Sequence, residues 1–133
     1  MQHKIVVRYQ DGRVMKGYTA DFLPIKELFH LVPMDAPPGS QNQKVNVHEL
    51  KALFFVRDFM GNPRYQDKKE FDPARAAAGR KIKVVFKDQE IMVGTTQGYQ
   101  PGRPGFFVYP ADPLSNIERC FVVSTATQEV SLI

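Results

Sequence analysis

The feature that most constrains this chain is an internal duplication. At a constant offset of 77 residues, segments 4–33 and 81–110 align without a gap, KIVVRYQDGRVMKGYTADFLPIKELFHLVP over KIKVVFKDQEIMVGTTQGYQPGRPGFFVYP. Ten of the thirty positions are identical: the columns of Lys4, Ile5, Val7, Asp11, Met15, Gly17, Thr19, Pro24, Phe29 and Pro33. Chance at background residue frequencies gives roughly two. Tyr9/Phe86, Val14/Ile91, Phe22/Tyr99 and Leu31/Val108 are conservative exchanges besides. A further match sets residues 50–56 over 117–123 at an offset of 67, as if the second copy had lost the polar loop 36–44 of the first. A repeated unit predicts two similar folded halves.

Each copy reads as β-structure. Ile5, Val7 and Tyr9 alternate with Val6, Arg8 and Gln10, and the run ends at Asp11-Gly12, a strong hairpin signal. The return strand carries Gly17, matched by Gly94, and a glycine within a strand marks a bulge or a sharp bend. Short apolar strands ending at Pro33 and Pro110 follow, then residues 50–56 and 117–123 as the last strand of each copy. The one helix candidate is residues 72–79, where Asp72 stands as cap, Pro73 at the first helical position and Gly79 as terminator. The expected fold is therefore all-β: two tandem small barrel units of SH3-like or Sm-like type, packed by pseudo-twofold symmetry. Residues 1–57 form the first unit, 58–80 a linker with the short helix, and 81–133 the second unit. A unit of about 55 residues buries only ~60% of its unfolded surface and is marginal alone, so the two are expected to lean on each other.

Composition narrows the function classes. The chain has 133 residues and is 43% hydrophobic, which excludes a large multidomain enzyme and a disordered tail. Its longest apolar run, residues 52–56, is far short of the ~20 residues of a membrane-spanning helix. Met1 runs straight into a strand pattern, so no leader is expected. A single cysteine, Cys120, permits no internal disulfide and fits a reducing cytoplasm. On the offset of 67 it takes the column of Leu53, and it is expected to be a small buried hydrophobe.

The stretch VVRYQDGRVMKG, residues 6–17, resembles the first motif of Sm-like proteins, and FFVRD, residues 54–58, is similar to their second. The resemblance implies a small barrel, and RNA contact through an acidic residue and an asparagine. Asp21 stands at the acidic position, Ile25 and Lys26 where the asparagine would be, and Gly98 in the Asp21 column of copy two. A second resemblance is to PilZ domains, barrels that bind a cyclic dinucleotide. RAAAGR, residues 75–80, precedes the first strand of copy two as the PilZ arginines do, one residue longer than their usual spacing. TTQGYQPGR, residues 95–103, replaces the D/N-x-S-x-x-G turn. The whole chain also resembles tandem β-domains of uncharacterised bacterial signalling-associated proteins.

His3, His30 and His48 make no metal-ligand spacing with one another, Cys120 or a carboxylate, and no phosphate-cradling or nucleophile-elbow motif occurs. Neither a metal nor a cofactor is expected, and no catalytic residue is assigned. Charge is localised instead: residues 64–87 carry eight basic and three acidic side chains, +5 of the total +4, leaving −1 for the rest. The expected function is a non-catalytic, cytoplasmic interaction or regulatory module. Its partner would be another protein, or a second copy of the chain, pairing with open barrel edges. The alternative is an anion-binding module for single-stranded nucleic acid or a cyclic dinucleotide through this strip. Arg75, Arg80, Lys81, Lys83, Arg103 and Arg119 are its candidate ligand-binding cations.

Overall fold

The hairpin signals are where the chain turns. In the computed structural model, which describes residues 2–37, 39, 41–61, 79–100, 102–112 and 114–133, β1 (His3–Tyr9) turns at Asp11-Gly12 into β2 (Val14–Thr19). The Asp11 carboxylate accepts the Arg13 amide at 3.0 Å while Gly12 adopts φ +97°. In copy two, β6 (Arg80–Phe86) and β7 (Ile91–Thr96) are joined the same way. Asp88 accepts the Glu90 amide at 3.0 Å, and Gln89 takes the left-handed place of the glycine with φ +77°. The rest of copy one is β3 (Leu28–Pro33), β4 (Gln43–Asn46), a 3-10 turn at Val47–Glu49 and β5 (Leu50–Val56). Copy two continues with β8 (Gly105–Pro110), β9 (Ile117–Val123), a 3-10 turn at Ser124–Ala126 and β10 (Thr127–Leu132). The helix expected at 72–79 falls, Gly79 apart, outside the described residues.

The two intra-strand glycines are required by close approach. A Cβ at Gly17 would run into the Val32 carbonyl oxygen, and one at Gly94 into that of Tyr109. Gly17 faces Pro33 across β2 and β3, and Gly94 faces Pro110 across β7 and β8, so the same tight crossing is built twice.

The expectation of an all-β protein holds, with one change of architecture. The strands form one antiparallel ten-stranded sheet, in the order β10-β6-β7-β8-β9-β5-β1-β2-β3-β4, and it does not close into a barrel. Two separate barrels are not what is found, because β5 and β9 pair along their length from Ala52↔Val122 to Val56↔Ile117 and weld the halves together.

The 77-residue offset does not break after residue 33; it runs to the end of the chain. Phe29 pairs with Val45 and Phe106 with Val122. Val47 donates to Glu27 O at 2.9 Å, as Ser124 does to Pro104 O. The bulge that sets Tyr9 against Leu50 recurs with Phe86 against Thr127. The offset of 67 is therefore corrected: β5 corresponds to β10, and the end of β9 to β4. Cys120 occupies the column of Gln43 rather than that of Leu53. Residues 50–56 and 117–123 look alike in sequence because both are central strands, the first buried throughout and the second from Cys120 to Val123, and burial on both faces selects an uninterrupted apolar run.

The expected pseudo-twofold packing is corrected for the same reason. Twofold packing brings like elements together, whereas β5 meets the counterpart of β4, a head-to-tail arrangement. The junction also exchanges side chains. The first core holds Ile5, Val7, Phe29, Leu31, Leu50, Leu53 and Phe55 of copy one, with Phe121 and Val123 of copy two. The second holds Ile82, Val84, Phe86, Phe106, Val108 and Val122 of copy two, with Ala52, Phe54 and Val56 of copy one. Each core is completed by its neighbour, as the marginal size of one unit predicts.

Candidate interaction surface

A head-to-tail junction uses one edge of each half and leaves the other edge of each half over. The edges left over are β4 and β10, the outermost strands of the sheet. They are the counterparts of β9 and β5, so among the described residues each kind of edge is once paired and once unpaired.

Their chemistry differs in step with that. Every residue of β5 is buried, whereas β10 has no buried residue: Thr127, Val130 and Ser131 are half-buried and Gln128, Glu129 and Leu132 exposed. Ala52 and Phe54, which enter the neighbouring core, become Glu129 and Ser131 in β10. Glu129 accepts the Ser131 hydroxyl at 3.2 Å and forms no ion pair among the described residues. Leu53 and Phe55, which enter the core of their own half, become Val130 and Leu132. Val130 packs against the second core half-buried, and Leu132 is 40% exposed. On the other edge, Phe121 and Val123 of β9 become Lys44 and Asn46 of β4.

One aromatic contact shows what the open edge lacks. In the first core Phe22 meets Phe29 edge-on at 5.3 Å and Phe121, delivered by β9, at 5.1 Å. In the second, the counterpart Tyr99 meets Phe106 edge-on at 4.7 Å, and no third ring adjoins it among the described residues.

The junction itself is clamped by a side chain that sequence reasoning passed over. Lys51 of β5 is buried, and its ammonium lies 2.7 Å from Asp88 Oδ2, 2.6 Å from Glu90 Oε1 and 4.7 Å from the centre of the Phe86 ring. The hydrogen bond from Lys51 holds the Asp88 carboxyl below the ordinary carboxylate range. Nothing near residue 51 in the sequence announces this, because both partners lie on the hairpin of the other copy.

Beside the junction lies a cleft of about 340 Å³, walled by Val6, Phe54, Phe59 and Met92, with Arg8 and Lys16 at its side. Val6 is paired with Lys16 and Lys4 with Tyr18, which puts these side chains on one face. Arg8 lies 5.7 Å from the Phe54 ring centre and Lys4 6.0 Å from that of Phe59, while Lys16 donates to Phe59 O at 3.0 Å. None of the three forms an ion pair among the described residues.

The six cations expected to bind a ligand are not gathered in one place. Arg75 lies outside the described residues. Arg80, Lys81 and Lys83 are exposed on β6, with Lys81 and Lys83 turned away from the second core as their alternation with Ile82 and Val84 predicts. Arg103, in the β7–β8 loop, donates to Gln100 Oε1 at 2.8 Å. Arg119 is on β9, separated from β6 by two strands, and stacks on Phe55 at 4.2 Å and Phe107 at 5.0 Å.

Asp21 ties the β2–β3 loop to β3. It accepts the His30 amide at 2.9 Å and sits 2.7 Å from His30 Nδ1. Burial works to raise its pKa, but these bonds and one from Thr19 outweigh it and hold the pKa low. Burial pushes the Cys120 thiol pKa up, away from the reactive thiolate. Among the described residues no group of three or more His, Cys, Asp or Glu is placed to hold a metal, and no helix is long and apolar enough to cross a membrane.

The chain belongs to a family of unknown function, DUF6982, whose profile matches residues 1–133. No curated protein and no solved structure shows a significant match to it.

Proposed function

We propose that the protein is a non-catalytic interaction module that takes up an extended segment of a partner protein by strand addition at β10. The observation that carries this reading is that β5, the counterpart of β10, is completed within the chain by an added antiparallel strand, β9. Main-chain pairing supplies affinity in such additions, and alternate side chains supply specificity. The repeated strand order, β5-β1-β2-β3-β4 and β10-β6-β7-β8-β9, supports viewing each half as an SH3-like or Sm-like unit joined through that pairing. A cytoplasmic setting fits the single buried cysteine. The test is an amide-resolved titration of the full chain with a pool of short proline-free peptides. Perturbations should concentrate on β10 and its neighbour β6. Their absence from β10 at every composition refutes the reading.

A second reading keeps anion binding but moves it from the strip 64–87 to the junction cleft, where Lys4, Arg8 and Lys16 share a face with Tyr18 and Phe59. Cations interleaved with aromatic rings suit single-stranded nucleic acid or a cyclic dinucleotide. Binding of a labelled oligonucleotide and of a cyclic dinucleotide, each at low and high salt, tests it. Arg8→Glu should abolish binding, and Lys81→Ser with Lys83→Ser should leave it intact. The opposite ranking would return the site to β6.

A further inference from the structure

Building on strand addition at β10, we infer that the segment received is a single extended peptide with an aromatic residue opposite Val130 and a basic residue opposite Glu129. It is neither a second copy of this chain nor the edge of another folded sheet.

The internal junction supplies the register. Leu53 pairs with Phe121 and Ala52 with Val122. Carried forward by 77 residues, Val130 takes the place of Leu53 and Glu129 that of Ala52. The incoming residue opposite Val130 therefore points, as Phe121 does, into the mouth of a core. There it meets Tyr99, whose counterpart Phe22 packs against Phe121. A seat bounded by one ring and a half-buried valine fits an aromatic side chain, which prefers an edge-to-face neighbour.

The residues on either side of that aromatic point the other way. In the internal junction this second face is also buried, because β9 brings a whole half with its own core, which Ala52 and Phe54 enter. At β10 the same two places are Glu129 and Ser131. A folded partner would bury the Glu129 carboxylate in its core without a counter-charge, which is strongly unfavourable. An isolated strand leaves that face in water, and a lysine or arginine there lies directly across from Glu129, a favourable cross-strand pair.

The chain's own free edge has the wrong pattern. Docked on β10 in the internal register, β4 would put Lys44 in the aromatic seat and Asn46 where Val123 packs. Charged residues on an edge are a known guard against edge-to-edge association. The open edge is thus shaped for a strand while its own complement is excluded from it.

The test uses the full chain and a fluorescein-labelled peptide copied from residues 118–124, with Cys120→Ser to prevent oxidation and Val122→Lys to face Glu129. Saturable binding is expected, with amide perturbations on β10. Phe121→Ser in the peptide should weaken it by about ten- to a hundredfold, the loss of one buried aromatic side chain. Glu129→Lys in the protein, an exposed change that spares the core, should reverse the preference from the lysine peptide to its Val122→Glu counterpart. Val130→Asp should weaken both. If peptides bind at β10 with no dependence on the aromatic or on charge, strand addition stands and this specificity is wrong. If none binds at β10, both fall. Head-to-tail oligomers of the wild-type chain in sedimentation, abolished by Lys44→Glu, would overturn the exclusion of self.

Discussion

Replacing Phe121 by alanine tests the exchange of side chains between the halves. Phe121 belongs by sequence to copy two, yet it is 1% exposed in the first core, edge-on to Phe22 at 5.1 Å and to Phe107 at 5.2 Å. Burying a phenylalanine contributes about 1.5–3 kcal/mol. Two edge-to-face contacts add roughly 0.5–1.5 kcal/mol each. The loss expected for Phe121→Ala is therefore about 3–5 kcal/mol, the range found for large aromatic deletions in cores. With an unfolding entropy near 2.1 cal/mol/K per residue, that lowers Tm by about 10–18 °C for a chain of this length. The informative part is how the loss is distributed. Because each core borrows from the other half, the molecule should unfold in a single transition. Amide exchange should then show β6 of copy two losing its slowest-exchanging protection in step with β1 of copy one, although Phe121 is not in the core that β6 covers. If denaturation of the variant resolves into two steps, with only the β1 amides moved, the halves are independent and the exchange of side chains carries no cooperativity.

Three other expectations follow from particular positions. Gly17→Ala and Gly94→Ala each force a methyl group against a carbonyl oxygen of the neighbouring strand and should cost about 1–3 kcal/mol by urea denaturation; a neutral result at either would show that the strands part without strain. Gln89→Gly relieves a left-handed residue at the turn where copy one already has glycine, at the expense of an exposed bond to Gln128 of 3.1 Å; it should stabilise by up to about 1 kcal/mol, and a destabilised variant would mean that the side-chain bond outweighs the backbone. The Asp88 pKa is depressed in the folded state, so its contribution is present above the ordinary carboxylate value of ~3.9 and is lost as pH falls through the lower folded value. Lys51→Met should therefore lose less stability than the wild type between about pH 5 and pH 2, and an unchanged acid limb would mean that the clamp does not set the Asp88 pKa.

Much of one half was legible in the sequence, because the signals that define it are local. The Asp11-Gly12 turn and the alternation through Ile5, Val7 and Tyr9 are written within a few residues, and Gly17 and Gly94 meet a strand of their own copy. The register of the hairpins follows from them. The connection between halves was not legible, and the error had a physical cause. Residues 50–56 and 117–123 resemble each other because 50–56 and 120–123 are buried on two faces, and this likeness outweighs the weaker identities Asp35/Asp112 and Val45/Val122 that hold the offset at 77. The likeness reflects burial, not descent. The cations failed as a cluster for a related reason: Arg119 and Lys83 are both charges on strands of copy two, but only the sheet order shows that two strands separate them and that Arg119 is already stacked on two rings.

The same comparison points to where function is carried. In a duplicated chain, a position that differs between copies while its backbone partners stay the same is freed from the demands of the fold. Ala52 against Glu129 and Phe121 against Lys44 are such positions: the ladder is repeated on one side of each strand, and only the other side has changed. Two identical sticky edges would polymerise, since a head-to-tail interface that does not close adds copies without limit. On the proposed reading, the polar residues on both remaining edges would stop that growth after one junction. Val130 and Leu132 nonetheless remain apolar, where simple protection of the edge would have favoured charge there as well. An edge that guards against its own kind while keeping one face of the strand apolar is what the proposed addition of a different strand at β10 would require.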